Sequence, residues 1–253
     1  MLLEDKVVIV TGGGHGIGRA YCRGIANEGG KVVVADIDGA AADAVAEEIS
    51  GAGAQAMAVR MDVSSLESCQ EMMHKALGHF GRIDGLINNA AIFATIPISR
   101  VGFQEISEDE WDRTMTVNVK GVWLCCRAVA PAMQERRQGS IVNISSSTVL
   151  NGSATRIHYV ASKAAVMGFS RVLARELGPF NVRVNTIAPG STLSEDDPSE
   201  ETIKMRERTV AGRALARVER PDDLVGTALY LLSDLSAFVT GQMIVVGGGD
   251  TMY

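Results

Sequence analysis

The chain has 253 residues, 46% of them hydrophobic, and a formal net charge of −6 at pH 7. With a pI near 5.3 it offers no basic footprint for a polyanion, which excludes a nucleic-acid partner. No run approaches the roughly eighteen apolar residues of a membrane span, and residues 1–6 lack the regions of a signal peptide, so the expectation is a cytoplasmic protein with no membrane partner.

No linker, charge block or repeat divides the sequence, and one domain over residues 1–253 is the simplest organisation. Cys22, Cys69, Cys125 and Cys126 form no C-x-x-C pair, and the four histidines are scattered. Buried thiols and no metal site are expected.

The first apolar, β-branched run, residues 6–11, leads into Gly12-Gly-Gly-His15-Gly16-Ile17-Gly18 and a helical pattern over 19–28. Strand, glycine turn and helix is the order of a phosphate-binding unit. Gly12 suits dihedrals closed to other residues, Gly16 lets a diphosphate reach the backbone, and Gly18 allows helix to pack on strand. A second run, 31–35, ends in Asp36 and Ile37. Asp36, eighteen residues after Gly18, is placed to accept hydrogen bonds from both hydroxyls of an adenosine ribose and to repel a 2′-phosphate, which favours NAD over NADP. A protonated His15 in the loop would weaken that preference. The alternative is a glycine-rich turn with a helix-capping Asp.

Beyond this unit, apolar runs at 55–59, 83–88, 140–144, 182–187 and 243–246 alternate with helical segments at 40–50, 66–80, 108–136, 159–178 and 221–233. Right-handed crossovers would build these into an α/β, Rossmann-type doubly wound parallel sheet with helices on both faces. In the segment 159–178, Tyr159 and Lys163 lie four apart, so they share a helical face, where the ammonium would favour the phenolate. Such a pair alone is weak evidence. Ser146 lies thirteen residues before Tyr159, between Ser145 and Ser147, any of which serves equally as a strand-end cap. Asn118 falls mid-helix, where a polar interhelical contact is the plain reading. Residues 195–201 form an acidic run that reads as a solvated surface, and 203–213 as an amphipathic helix, together a substrate loop at about 190–215.

Taken together, Thr11-Gly-Gly-Gly-His-Gly-Ile-Gly18, Asp62-Val63, Asn88-Asn-Ala90, Asn118, Ser146, Tyr159, Lys163 and Pro189-Gly190 resemble the short-chain dehydrogenase/reductase family, in its single-domain branch, over nearly the whole chain. The resemblance implies a strand order of 3-2-1-4-5-6-7. It implies that Asp62 and Val63 hold adenine, that Asn88 and Ala90 lie along the adenosine side, and that Pro189, Gly190, Thr192 and Ser194 line the nicotinamide. It also implies that Asn118 kinks its helix and holds a water that relays protons from Lys163. Ser146 would then orient the substrate oxygen, Tyr159 exchange its proton, and Lys163 bind the nicotinamide ribose. Ala91 and Val246 depart from the family pattern, which has Gly and Asp there.

The expected function is an NAD-dependent oxidoreductase acting on a small secondary alcohol or ketone, of cyclic or aromatic type, in a pocket formed by residues 92–103 with Val149, Asn151, Arg156 and Leu193. Arg156 is open to two readings, a substrate carboxylate or a surface contact. An NADPH-dependent 3-oxoacyl-carrier-protein reductase and a non-catalytic NAD-sensing regulator are the alternatives. The family is commonly tetrameric, and Val122, Leu124, Val166, Phe169 and Leu173 would serve either a homotetramer interface or the cover of the sheet.

Overall fold

The computed structural model describes residues 1–93 and 96–252. Apolar runs without alternation become strands covered on both sides: β1 (Val7–Thr11), β2 (Lys31–Asp36) and β5 (Gly139–Ile144) are buried at nearly every position, as a parallel sheet between two helical layers requires. With β3 (Ala56–Arg60), β4 (Gly85–Asn88), β6 (Val182–Pro189) and β7 (Met243–Val246) they form one seven-stranded sheet, all parallel, in the order β3-β2-β1-β4-β5-β6-β7. Both the doubly wound architecture and the expected strand order are therefore observed.

Alternation along each strand divides the core in two. Val8 and Val10 face α1 (Gly16–Asn27), α2 (Gly39–Gly51) and α9 (Asp222–Leu232). Val7 and Ile9 face α3 (Leu66–Phe80), α5 (Gly121–Arg136) and α7 (Ile157–Leu177). Each core is continuous and solvent-free, so truncating Ile9 or Ile141 to Ala is worth about 2–5 kcal/mol. The register aligns the strands at one edge: Thr11 lies opposite Ala35 and Asn88, and Asn143 opposite Asn88 and Thr186. All the loops discussed below leave from that carboxyl edge.

Four elements differ from their sequence readings. The single helix expected over 108–136 is α4 (Glu108–Met115) and α5 joined by a π-helical turn, Thr116–Lys120, centred on buried Asn118. The helix expected at 203–213 is α8 (Glu200–Val210), which starts earlier because the Ser199 side chain accepts from the Thr202 N–H and Glu200 and Glu201 fill its first turn. Helix α7 begins at Ile157, ahead of Tyr159. A short helix, α6 (Thr148–Asn151), was not anticipated. Of the apolar stripe, Phe169 and Leu173 are half-buried against the core. Val122, Leu124 and Val166 are buried against the sheet, while Trp123 and Val172 of the same helices stay exposed.

Candidate active site

Along the carboxyl edge runs a cavity of about 540 Å³. At one end it is walled by Gly12, His15, Gly16, Ile17, Asp36, Ile37, Asp62, Val63 and Ala90. Two Asp36 oxygens are fixed by backbone donors, Oδ2 by Gly14 N–H at 2.9 Å and Oδ1 by Asp38 N–H at 3.0 Å, so the carboxylate is held at the tip of β2. Beside it Ile37 leaves an exposed apolar face. Helix α1 starts here with no side-chain cap and no acidic residue in its first turn, so its N–H groups and dipole are open to an anion. Gly16 (φ 47°) is required twice over, because a Cβ there would lie 2.4 Å from the Ser194 carbonyl. Gly18 lies outside the wall and seats α1 on the sheet, where a Cβ would meet the Gly12 carbonyl at 1.9 Å.

His15 is held between two carboxylates, Nδ1 at 2.8 Å from Asp196 and Nε2 at 3.4 Å from Asp38. The Asp196 hydrogen bond is the main cause that raises its pKa above the ordinary value, against a smaller loss to burial. A charged His15 is thus compensated on both sides.

At the other end stand Ser146, Tyr159 and Lys163, with Phe93, Arg156 and Arg206. Tyr159 is buried, and its ring stacks on Phe93 at a centroid distance of 4.4 Å. Burial raises the Tyr159 pKa; a hydrogen bond with Ser146 and the guanidinium charges of Arg156 and Arg206 pull it back. The Lys163 Nζ is 5.8 Å from the ring centroid and donates to the Ile144 carbonyl at 2.9 Å, and burial lowers its own pKa to about 8. Thr148 donates to the Ser146 Oγ at 2.9 Å and fixes that hydroxyl in the wall, whereas Ser145 donates away from the cavity to the Lys163 carbonyl.

Asn118 and Asn88 lie behind the wall. The Asn118 Oδ1 accepts the Ile92 N–H at 2.8 Å, and its Nδ2 donates to the Ser162 Oγ at 3.2 Å. Those bonds join the segment that follows β4 to the π turn and to α7. The Asn88 amide donates to Asn143 at 2.8 Å and ties β4 to β5, while Asn89, which the sequence reading passed over, lines the cavity.

Pro189, Gly190, Thr192 and Ser194 form the remaining wall. Their loop is anchored by a buried network in which Thr192 Oγ1 donates to Glu219 at 3.0 Å and Arg213 pairs with the same carboxylate at 3.2 Å. Helix α8 adds Arg206, whose guanidinium bonds Glu195 at 2.9 Å and Ser191 at 3.2 Å. Phe93 belongs to the 92–103 segment expected to line the pocket, whereas Arg206, Glu219 and Arg213 were not singled out in the sequence. The available signal for Arg206 was its place on the apolar stripe of Ile203 and Val210. Of the pocket residues expected, Asn151 and Arg156 line the wall and Val149 and Leu193 do not; Ala94 and Thr95, within 92–103, lie outside the described residues.

A dinucleotide cleft on a doubly wound sheet, opening onto a serine, a tyrosine and a lysine, defines a class of nicotinamide-dependent oxidoreductase. The family model for short chain dehydrogenases matches residues 6–202, and the chain belongs to that family. It is 41% identical to a probable short-chain type dehydrogenase/reductase of Bradyrhizobium diazoefficiens, over 97% of this chain and 87% of that one. It is 36% identical to the 3-oxoacyl-[acyl-carrier-protein] reductase of Thermotoga maritima, over 98% and 99%. It is 37% identical to the L-rhamnose 1-dehydrogenase (NAD(P)(+)) of Azotobacter vinelandii, over 98% of both. No helix among the described residues is long and apolar enough to cross a membrane.

Proposed function

We propose that this protein is an NAD-dependent oxidoreductase that interconverts a small secondary alcohol and its ketone. The observation that carries the reading is the convergence of Ser146, Tyr159 and Lys163 in the cavity whose far end holds the Asp36 carboxylate. Asp36 would take the adenosine ribose hydroxyls, with Asp38 beside it adding to the repulsion of a 2′-phosphate. Ile37, Asp62, Val63 and Ala90 would surround the adenine and its ribose, and the first turn of α1 the diphosphate. Thr192 and Ser194 would hold the carboxamide, and Lys163 the nicotinamide ribose.

When bound, the oxidised nicotinamide supplies the hydride acceptor and a positive charge beside the phenol. Ser146 holds the substrate oxygen against Tyr159, which takes the hydroxyl proton during oxidation and returns it during reduction. Asn118, fixed by Ile92 and Ser162, keeps the π turn open for a water that links Lys163 to solvent. The loop at 190–215 would close over the substrate. Exposed Trp123 and Val172 on α5 and α7 support a homotetramer built on those helices.

The reductase of 3-oxoacyl carrier protein is the second reading, supported by the T. maritima relative; the net charge of −6 disfavours an acidic carrier. The test is reduction of NAD and, separately, NADP across a panel of cyclic and aromatic secondary alcohols near pH 9, with 3-oxoacyl thioesters assayed in the reverse direction. NAD-linked alcohol oxidation that is lost in Tyr159→Phe supports the proposal. Thioester reduction with NADPH alone would overturn it.

A further inference from the structure

Two arginines stand at the substrate end of the cavity with fewer partners than their burial calls for. Arg156 is half-buried in the wall, with its Cζ 6.0 Å from the Phe93 ring that stacks on Tyr159. Its one hydrogen-bond partner among the described residues is the Ser153 hydroxyl, and no carboxylate among them pairs with it. Arg206 is 95% buried (5% exposed), and although Glu195 and Ser191 take two of its nitrogens, its Nε is buried without a partner. Burial, with the cations Arg100 and Arg206 beside it, holds the Arg156 pKa below the ordinary arginine value, and the Tyr159 phenol acts the other way.

An unpaired guanidinium withdrawn from water and facing like charges is costly, and a chain with six excess negative charges had counter-ions to spend on it. An anionic ligand recovers that cost on binding. We infer that this end of the cavity is a carboxylate subsite, in which Arg156, backed by Arg206, grips the acid group of a substrate whose secondary alcohol meets Ser146 and Tyr159. This deepens the proposed oxidoreductase reading and rests on it for the position of the alcohol.

The wall indicates the shape of that substrate. Phe93 neighbours both the phenol and the guanidinium, so the segment joining alcohol to carboxylate passes an aromatic side chain and is flat or apolar enough to pack on it. The planar fork of arginine matches a carboxylate in two-point contact, and Arg206 already holds the Glu195 carboxylate through one of its nitrogens. The substrate class is thus a hydroxy acid, or the corresponding oxo acid, with a ring or short apolar spacer, and a neutral alcohol of the same shape is the weaker ligand.

The test uses the full chain loaded with NAD, which cannot reduce a ketone, and two ketones of similar shape, one charged and one neutral, 4-acetylbenzoate and its methyl ester. Binding is read by calorimetry, and the alcohols of both are then assayed with NAD. The acid should bind at least about tenfold more tightly than the ester. Arg156→Gln should bring the two within about threefold, and Arg156→Lys should keep part of the difference. Equal binding of acid and ester, no binding of the acid, or a preference that survives Arg156→Gln would overturn the subsite. A preference for the acid without turnover of either alcohol upholds the subsite and counts against the redox reading; equal turnover of both alcohols supports the redox reading and overturns the subsite.

Discussion

At its adenosine end the cavity is walled by Asp36, Asp38 and Asp62; at its substrate end, by Arg156 and Arg206. The acidic end is built from strand tips and the turns that follow them, and its carboxylates are held by backbone N–H groups, as Asp36 is by Gly14 and Asp38. The cationic end is built from α7, α8 and the loops between, and its side chains are held by other side chains. Backbone-fixed groups are pre-organised for one ligand, whereas side-chain-fixed groups repack easily. The contrast shows how one fold keeps its coenzyme while its substrate changes.

The chemistry joining the two ends is where a single change has its largest effect. Tyr159→Phe keeps the ring stacked on Phe93 but removes the proton carrier, and kcat should fall by about 10³-fold or more with the circular dichroism spectrum unchanged. Retained turnover would assign the proton to another group. Asn118→Ala probes the support behind the substrate end. It leaves the buried Ile92 N–H without an acceptor and should destabilise the protein by about 2–3 kcal/mol in urea unfolding, with hydrogen exchange rising first around Ile92.

Lys163 sets function against stability. Burial lowers its folded pKa to about 8 from an ordinary 10.5. The charged lysine therefore costs the native state stability below pH 8, and that cost is relieved as pH rises from 8 towards 10.5. Lys163→Met should be inactive yet more stable at pH 7, on the order of 2 kcal/mol, with the gain shrinking across that window in denaturant titrations. Equal or lower stability would mean that the bond to Ile144 outweighs desolvation.

The smallest effect is expected at His15, which ties the glycine loop to the acidic substrate loop. Its raised pKa means that the Asp196 contact is complete below the ordinary histidine value and is lost as pH rises through the folded one. Hydrogen exchange at Glu195 to Asp197, corrected for intrinsic rates, should therefore quicken between pH 6 and pH 9. In His15→Gln the difference should vanish.

What was legible in the sequence follows the same division. Glycines, the strand-end Asp36 and the helical spacing of Tyr159 and Lys163 are local patterns, and the sheet order came with the resemblance they supported. The π turn at Asn118 was readable only through that resemblance, because nothing in 116–120 sets the pairing apart until Ile92 and Ser162 supply partners from elsewhere in the chain. Arg206 and the pairing of Glu219 with Arg213 depend on contacts between distant loops, and no spacing encodes them. Arg156 and Arg206, whose charges also act on Tyr159, reach it from distant parts of the chain, and no spacing in the sequence places them there.

The most direct measurement needs no substrate: fluorescence titration of the protein with NADH and with NADPH, repeated in Asp36→Asn. A carboxylate-walled adenosine end predicts that NADH binds at least about tenfold more tightly than NADPH and that Asp36→Asn narrows the gap. Equal affinities, or tighter NADPH binding by the unaltered protein, would contradict the account.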